Sequence, residues 1–481
     1  MKNGVMIQVF EWNLPADGNL YKNLKKQAEH FSKLGITSVW MPPAAKGTSN
    51  LDVGYGNYDF WDLGEFDQKG TICTKYGTKE ELITCINSLH EHNIGVYADM
   101  VFNHKGGADF TENFKAVKVN PDNRTKEISD AHDIDDWTGF SFAGRDDKYS
   151  DFKWHFFHFN GVDYDQNSKE SGIFRIIGEN KNWSVDTDTE MGNFDYLMNA
   201  NIDHAHPEVV AELKKVSDYM IDELQYDGFR YDALKHLSRE FIDNLSKYIL
   251  SKHPNFYFVG EYWKDDEATI NYFIEETDYH IDLFDVSLHY NFYEASQNPD
   301  FDMRSIFDDS LVSKKPEQAV TFVDNHDSQP GQSLESWVQP WFKEIAYSLI
   351  LLRKDGYPCI FWGDYDGING DSYDGIKEQL ETMLLARQDY AWGEQEDYFT
   401  DQKLIAWIRH GDENHKSKLV VLISTGDAGE MTIFVGDEYA NKTYIDLSGK
   451  NESIKIDEDG KGLFTVAPGS VTYWTSDKSN V

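Results

Sequence analysis

Short apolar runs alternate with helix-period stripes along most of this chain, and that alternation constrains the fold more than any single motif. Val5-Met-Ile-Gln-Val-Phe10 reads as a strand. Leu20, Leu24, Ala28, Phe31 and Leu34 then recur at helical spacing, Gly35 stops that helix, and Ile36–Met41 is the next apolar run, closed by Pro42-Pro43. The unit repeats: Thr78 and Glu81 form a capping-box signature, Leu82, Ile86 and Leu89 make a buried stripe, Gly95 follows, and Val96–Val101 is a third strand. After a break the rhythm resumes at Pro207, with Val209, Leu213, Val216, Met220 and Leu224 on one face ahead of Asp227-Gly-Phe-Arg-Tyr-Asp232. Further runs follow at 255–261, 282–287, 319–323 and 358–362. Eight strands with interleaved helices predict an α/β fold, a parallel sheet closed into a (β/α)8 TIM barrel with its reactive groups at the C-terminal strand ends.

The break spans residues 105–204. It is rich in Asp, Asn, Gly and aromatic residues, with strand-like pieces such as Phe152–Phe159. This is too long for a loop in a compact domain and predicts an inserted β-rich subdomain after strand three. Beyond residue 396, Leu404–Arg409, Lys418–Ile423, Met431–Val435 and Ser470–Trp474 are separated by Gly-Asp and Asn-rich turns and read as a C-terminal antiparallel β-sandwich. The expected division is a barrel over 1–104 and 205–395, an insertion over 105–204, and a sandwich over 396–481.

Composition removes several function classes. With 84 acidic against 45 basic residues the net charge is -39, which disfavours nucleic acid or an anionic membrane as a partner. Cys73, Cys85 and Cys359 are odd in number and widely spaced, so no disulfide framework or zinc motif is expected. Met1-Lys-Asn-Gly leads straight into a strand, with no apolar signal region. The expectation is a cytoplasmic protein, or one whose signal has been removed. A monomer is expected, and no organic cofactor.

The polar residues at the strand ends carry the chemistry. Side chains on a strand alternate faces, so Arg230 and Asp232 point the same way while Phe229 and Tyr231 point the other. A guanidinium beside Asp232 is expected to hold it ionised, with a lowered pKa, as suits a nucleophile. Asp99, Asn103 and His104 follow strand three, Glu261 strand five, and His326 and Asp327 strand seven. Taken alone, an Arg–Asp pair is equally well read as a brace in a core; the convergence of the set on one mouth favours a catalytic site.

Asp99-Met-Val-Phe-Asn-His104, Gly228-Phe-Arg-Tyr-Asp232 with Lys235-His236, Gly260-Glu261 and Val323-Asp-Asn-His-Asp327 resemble the four conserved blocks of the α-amylase family, glycoside hydrolase family 13. Gly54–Asp59 and Asp62–Phe66 are similar to the liquefying bacterial type. The resemblance implies an endo-acting, retaining α-1,4-glucan hydrolase acting on starch, glycogen or maltodextrin. Asp232 would be the nucleophile, Glu261 the general acid and then base, and Asp327 the transition-state stabiliser. Arg230 would keep Asp232 charged, His104 and His326 would bind sugar hydroxyls, Tyr58 would stack beneath the sugar with Trp12 nearby, and Lys235 and His236 would serve the substrate on the leaving-group side. Retention predicts the carboxyls of Asp232 and Glu261 about 5 to 5.5 Å apart. The rival readings are a transglycosylase or oligosaccharide α-glucosidase of the same family and, more remotely, a non-catalytic carbohydrate-binding scaffold.

The resemblance also implies a calcium site at Asn103, Asp195 and the main chain of His236, whose oxygens suit a hard cation. Relatives with a metal cluster carry acids where this chain has Asn160, Ser184, Asn201 and Ala205. No multi-metal cluster is expected, a single calcium is left open, and the insertion is expected to be held mainly by direct contacts. Asp186, Asp188 and Asp203 are read as solvated loop acids.

Overall fold

The computed structural model describes residues 3–476. Eight parallel strands close a barrel: β1 (Met6–Gln8), β2 (Ser38–Trp40), β3 (Gly95–Met100), β4 (Gly228–Tyr231), β5 (Tyr257–Gly260), β6 (Asp282–Phe284), β7 (Ala319–Phe322) and β8 (Tyr357–Phe361). Closure is made by β8 pairing with β1, Met6 opposite Cys359. The helices between them form where the apolar stripes predict. Leu20–Lys33 buries Tyr21, Leu24, Ala28 and Phe31, and the chain leaves it through Gly35 at φ +78°, a left-handed turn that glycine makes at little cost. Lys79–Glu91 starts in the expected box, with Thr78 capping Glu81 and Glu81 returning the bond.

Between β3 and β4 lies an antiparallel sheet ordered His104–Lys105, Ala200–Ile202, Phe159–Asp165, Glu170–Ile176, Phe110–Asn120 and Asn123–Glu127, with His132–Gly139 also paired to Phe110–Asn120. The run 152–159 is not a strand: Phe156–His158 is a 3-10 turn, and extension begins at Phe159. Its aromatic residues serve packing, Phe114 stacking on Phe156 and Trp154 on Phe159.

The C-terminal region contains a six-stranded antiparallel sheet faced by the pair Gly429–Phe434 and Lys461–Val466. Alternation explains why Leu404–Ile408 is continuously apolar: Ile405 and Trp407 join the barrel's core, while Ala406 and Ile408 pack inside the sandwich with Trp474. Among the described residues no helix is long and apolar enough to cross a membrane.

Candidate active site

Alternation along β4 sends Tyr231 outward, its hydroxyl 3.1 Å from Ser246 on helix Arg239–Lys252, and turns Arg230 into the barrel above the Trp40 ring. Parallel pairing places Arg230 level with Asp99 of β3. The guanidinium then meets three carboxylates. Its Nη1 donates to Asp99 Oδ1 at 2.8 Å and to Asp232 Oδ1 at 2.7 Å, and its Nη2 donates to Glu261 Oε2 at 2.5 Å. Asp327, beyond β7, sits 3.3 Å from His326 Nε2.

One cation serving three buried carboxylates, with a fourth beside them, leaves the cluster short of positive charge. Burial raises Asp232 to about 6; Arg230 opposes that rise and the charge on Asp99 adds to it. Glu261 is also raised by burial, with Arg230 opposing and Asp232 adding. Asp327 is pushed furthest, by burial and then by Glu261. The expectation that Arg230 would depress Asp232 is therefore corrected, because burial outweighs a guanidinium that is also shared. Ionisable groups this close give up their protons as a set, and burial shifts that set toward its protonated forms.

His326 is neutral: burial and Arg230 hold it well below the usual histidine range. Gln8 Nε2 donates to its Nδ1 at 2.8 Å, so the ring proton stays on Nε2, facing Asp327. The ring lies parallel to Tyr55, centroids 5.1 Å apart and planes within 4°, and Trp12 continues the parallel set at 5.9 Å from Tyr55. Tyr55, whose hydroxyl donates to Asp99 at 2.9 Å, is the aromatic residue that sequence reasoning missed.

Tyr58 is not at the mouth. It is 2% exposed, packed near Phe140 and Phe142, with its hydroxyl on Asp109. His104 is buried and engaged with protein groups, Nε2 at 2.8 Å from the Tyr55 carbonyl and Nδ1 at 3.2 Å from Asn103 Oδ1, so it supports the tyrosine loop and its nitrogens are not free for sugar hydroxyls. His236 likewise departs from expectation: its ring packs on Phe194 and Nδ1 bonds the Phe194 carbonyl at 2.6 Å. Lys235 does reach the rim, 3.2 Å from Glu190 and over the Phe194 ring.

The three loop acids are engaged by protein donors, Asp188 and Asp203 buried and Asp186 half-buried. Asp203 pairs with Lys181, Asp186 accepts from Ser238 Oγ at 3.0 Å and the Glu240 amide at 2.7 Å, and Asp188 is bound by Lys264 and Tyr262.

Two groups invite a test as metal sites. His158, His206 and Glu208 bring ligand atoms within 4.8 Å of one another. However, His158 Nδ1 accepts the His155 amide at 3.0 Å, so Nε2 keeps its proton and points it at Glu208. The second group is Asn103, whose Nδ2 faces the main-chain oxygens of Asp195 at 3.3 Å and His236 at 3.1 Å. Here the donors do not balance. A neutral His104 has one ring proton for two oxygens, the Tyr55 carbonyl and Asn103 Oδ1. Turning the Asn103 amide satisfies His104 but gathers three oxygens together, an arrangement that suits a bound cation or a donating water. Asn201 Oδ1, on the residue paired with His104 in the sheet, is buried without a partner. By contrast the Asp195 carboxylate is covered by amides: Asn160 Nδ2 at 2.7 Å, the Ser184 N–H at 2.8 Å and Asn201 Nδ2 at 3.2 Å.

A (β/α)8 barrel presenting paired carboxylates, a shared arginine and parallel rings at its C-terminal mouth has the architecture of a glycoside hydrolase. The sequence comparisons carry that further. Residues 18–421 match the family model for the α-amylase catalytic domain. The chain is 47% identical to the α-amylase of Geobacillus stearothermophilus, covering 100% of this chain and 88% of that one, and 47% identical to the α-amylase of Bacillus licheniformis, covering 98% and 93%. It is 40% identical to the cytoplasmic α-amylase of Escherichia coli (strain K12), over 99% and 100%. The crystal structure of an Anoxybacillus α-amylase shares the fold, with a TM-score of 0.66 at 17% identity, over 99% of this chain and 97% of that one. The chain belongs to the α-amylase family and is a glycoside hydrolase of that type.

Proposed function

We propose that the chain cleaves internal α-1,4 linkages of a glucan with retention, Asp232 acting as nucleophile and Glu261 as acid and then base. The observation that carries this reading is the single Arg230 guanidinium bonded at once to Asp232 and Glu261. In the first step a carboxylate oxygen of Asp232 attacks the anomeric carbon. The glycosidic oxygen leaves with the proton of Glu261, and a covalent glycosyl-enzyme forms. In the second step Glu261 takes a proton from water, whose oxygen displaces Asp232. Arg230 favours the ionised nucleophile, and the raised pKa of Glu261 supplies the proton. Asp327, with the Nε2–H of His326 beside it, is placed to hold sugar hydroxyls and the charge developing at the ring. Tyr55 and Trp12 offer apolar faces for stacking, and Lys235 lies on the leaving-group side.

We assign one hard cation, calcium by its oxygen donors, to Asn103, Asp195 and the main chain of His236, with Asn201 Oδ1 as a further donor. Such an ion would fasten the insertion to the barrel and takes no part in bond cleavage. A multi-metal cluster does not fit, since amide donors already occupy the Asp195 carboxylate. The region 396–481 is proposed as a packing domain, because its central strands are buried on both faces. The similarity to the E. coli cytoplasmic α-amylase supports a cytoplasmic location, which cell fractionation would test; a monomer acting there on maltodextrin or glycogen is our reading.

The deciding experiment is hydrolysis of soluble starch and of a blocked maltoheptaoside by wild type and Glu261→Gln, with and without chelator. Rapid internal cleavage, lost in the variant, is expected. Activity confined to short saccharides would overturn the endo-acting reading.

A further inference from the structure

Segment 186–194 of the insertion overhangs the barrel rim where β4 and β5 end, and it is tied down by polar contacts around one residue. Asp188, 5% exposed, accepts from Lys264 Nζ at 2.9 Å and the Glu190 amide at 2.8 Å on Oδ1. On Oδ2 it accepts from Lys264 Nζ at 2.8 Å and the Tyr262 hydroxyl at 2.8 Å. Its main chain makes two further bonds, the amide to the Lys235 carbonyl at 3.0 Å and the carbonyl to the Phe194 amide at 2.9 Å.

The partners are informative. Tyr262 is the residue after Glu261, and Lys264 lies two further on. Lys235 belongs to the turn after β4, where the Leu234 amide donates to the Glu261 carbonyl at 2.8 Å. Asp188 therefore touches both chain segments that present the leaving-group side. Phe194 packs on His236 at the far end of the segment, but around Asp188 apolar packing is thin: a cavity of about 310 Å³, lined by Asp186, Asp188, Leu234, Arg239, Tyr262 and Tyr272 among others, lies against it. The polar ties bridge that gap. Burial alone would raise Asp188, but Lys264, the Glu190 amide and Tyr262 outweigh it and hold the carboxyl below its ordinary range, so the ion pair is formed at neutral pH.

We propose that Asp188, gripped by Lys264 and Tyr262, is a positioning residue for leaving-group departure, setting where Glu261 and the Lys235–Glu190 pair stand relative to the departing part of the glucan. The inference rests on Glu261 being the acid. It requires that loosening the grip impair proton delivery to a poor leaving group more than attack at the anomeric carbon.

The test compares kcat/KM for maltoheptaose, whose leaving sugar needs a proton, with that for a 2,4-dinitrophenyl maltoside, whose aryl oxide leaves without one. The ratio kcat/KM reports only steps up to formation of the glycosyl-enzyme, so slow hydrolysis of that intermediate does not mask the comparison. Asp188→Asn and Lys264→Met should lose roughly tenfold on maltoheptaose and stay within about twofold on the aryl substrate, with Lys264→Arg recovering part of the loss. Tyr262→Phe, which deletes one hydroxyl and leaves the ion pair, is the milder variant and should shift the same ratio in the same direction. Equal losses on both substrates, or none on either, overturn the proposal. Glu261→Gln run in parallel separates the two readings. If it shows a large selective loss while the Asp188 and Lys264 variants do not, only the positioning role fails; if it loses both substrates equally, the acid assignment fails first.

Discussion

Two buried carboxylate sites in this chain meet the same physical problem with different partners. At the barrel mouth Asp99, Asp232 and Glu261 share one guanidinium, with Asp327 close by, and every one of the four is raised by burial. In the insertion Asp195 is surrounded by the neutral donors of Asn160, Asn201 and the Ser184 amide. The first cluster is short of positive charge and so retains protons, which a glycosidase needs at its acid. The second surrounds its carboxylate with dipoles and introduces no further charge, yet burial outweighs those donors and raises Asp195 to about 7, so this carboxyl also favours its proton and adds little negative charge to the joint between insertion and barrel. Burial raises the carboxyls at both places; what differs is the partner, a shared cation at the mouth and neutral amides in the insertion.

Breaking the first cluster should have the largest effect. Glu261→Gln keeps the shape but removes the transferable proton, and Asp232→Asn removes the nucleophile. Each is expected to lower kcat on starch by about 10²–10⁴-fold or more with the fold intact by circular dichroism. Arg230→Leu should be worse for the protein as a whole. It strands three carboxylates that are nearly excluded from water, and a stability loss of roughly 3–5 kcal/mol is expected in urea titration at neutral pH. A variant as stable as wild type would mean that the carboxyls are all protonated in the native state.

The second cluster can be converted toward the logic of the first. Asn160→Asp with Asn201→Asp places two more carboxylates against Asp195 and removes the amide donors that now cover it. Without a divalent ion the double variant should melt several degrees below wild type; with millimolar calcium the loss should be recovered and exceeded, because an ion that binds only the folded state stabilises it by mass action. Wild type should respond less, through the single site proposed at Asn103. Equal calcium responses in the two proteins would refute the contrast between them.

Much of this was legible before any coordinates, and the exceptions share a cause. The strand–helix rhythm predicted the barrel, and period-two alternation put Arg230 and Asp232 on one side, because both follow from local geometry. Tyr55 and Tyr58 could not be told apart in this way. They sit three residues apart in a loop with no period, and distant contacts decide which ring reaches the mouth. The flanking glycines were the available signal: Gly54 has φ +104° and lies against Pro43, and a Cβ on Gly56 would fall 2.3 Å from Asp52 Oδ2. Such tight contacts on both sides fix the tyrosine between them. Asp188 was misread for a related reason. In sequence it is one acid in an acidic loop, and the lysine that engages it lies 76 residues away.

The smallest expected effect concerns how the mouth distributes its charge. The acid limb of kcat/KM follows ionisation of the nucleophile in the free enzyme. Burial sets Asp232 at about 6, Arg230 lowers it from where burial alone would place it, and Asp99 raises it. In Asp99→Asn the like charge is gone, the amide oxygen still accepts from Arg230, and the guanidinium gives more of itself to Asp232. Both changes favour the carboxylate, so its pKa falls and the acid limb should move to lower pH by roughly one unit. Removing that negative charge also relieves Glu261, so the alkaline limb should move the same way by less, since Glu261 meets a different nitrogen of the guanidinium. Burial raises Asp99 too, despite its bonds to Arg230, Tyr55 and Trp40. If Asp99 already holds a proton in the free enzyme, its replacement by asparagine removes no charge and neither limb moves. The two limbs measured together therefore show whether Asp99 carries a proton or a charge in the free enzyme.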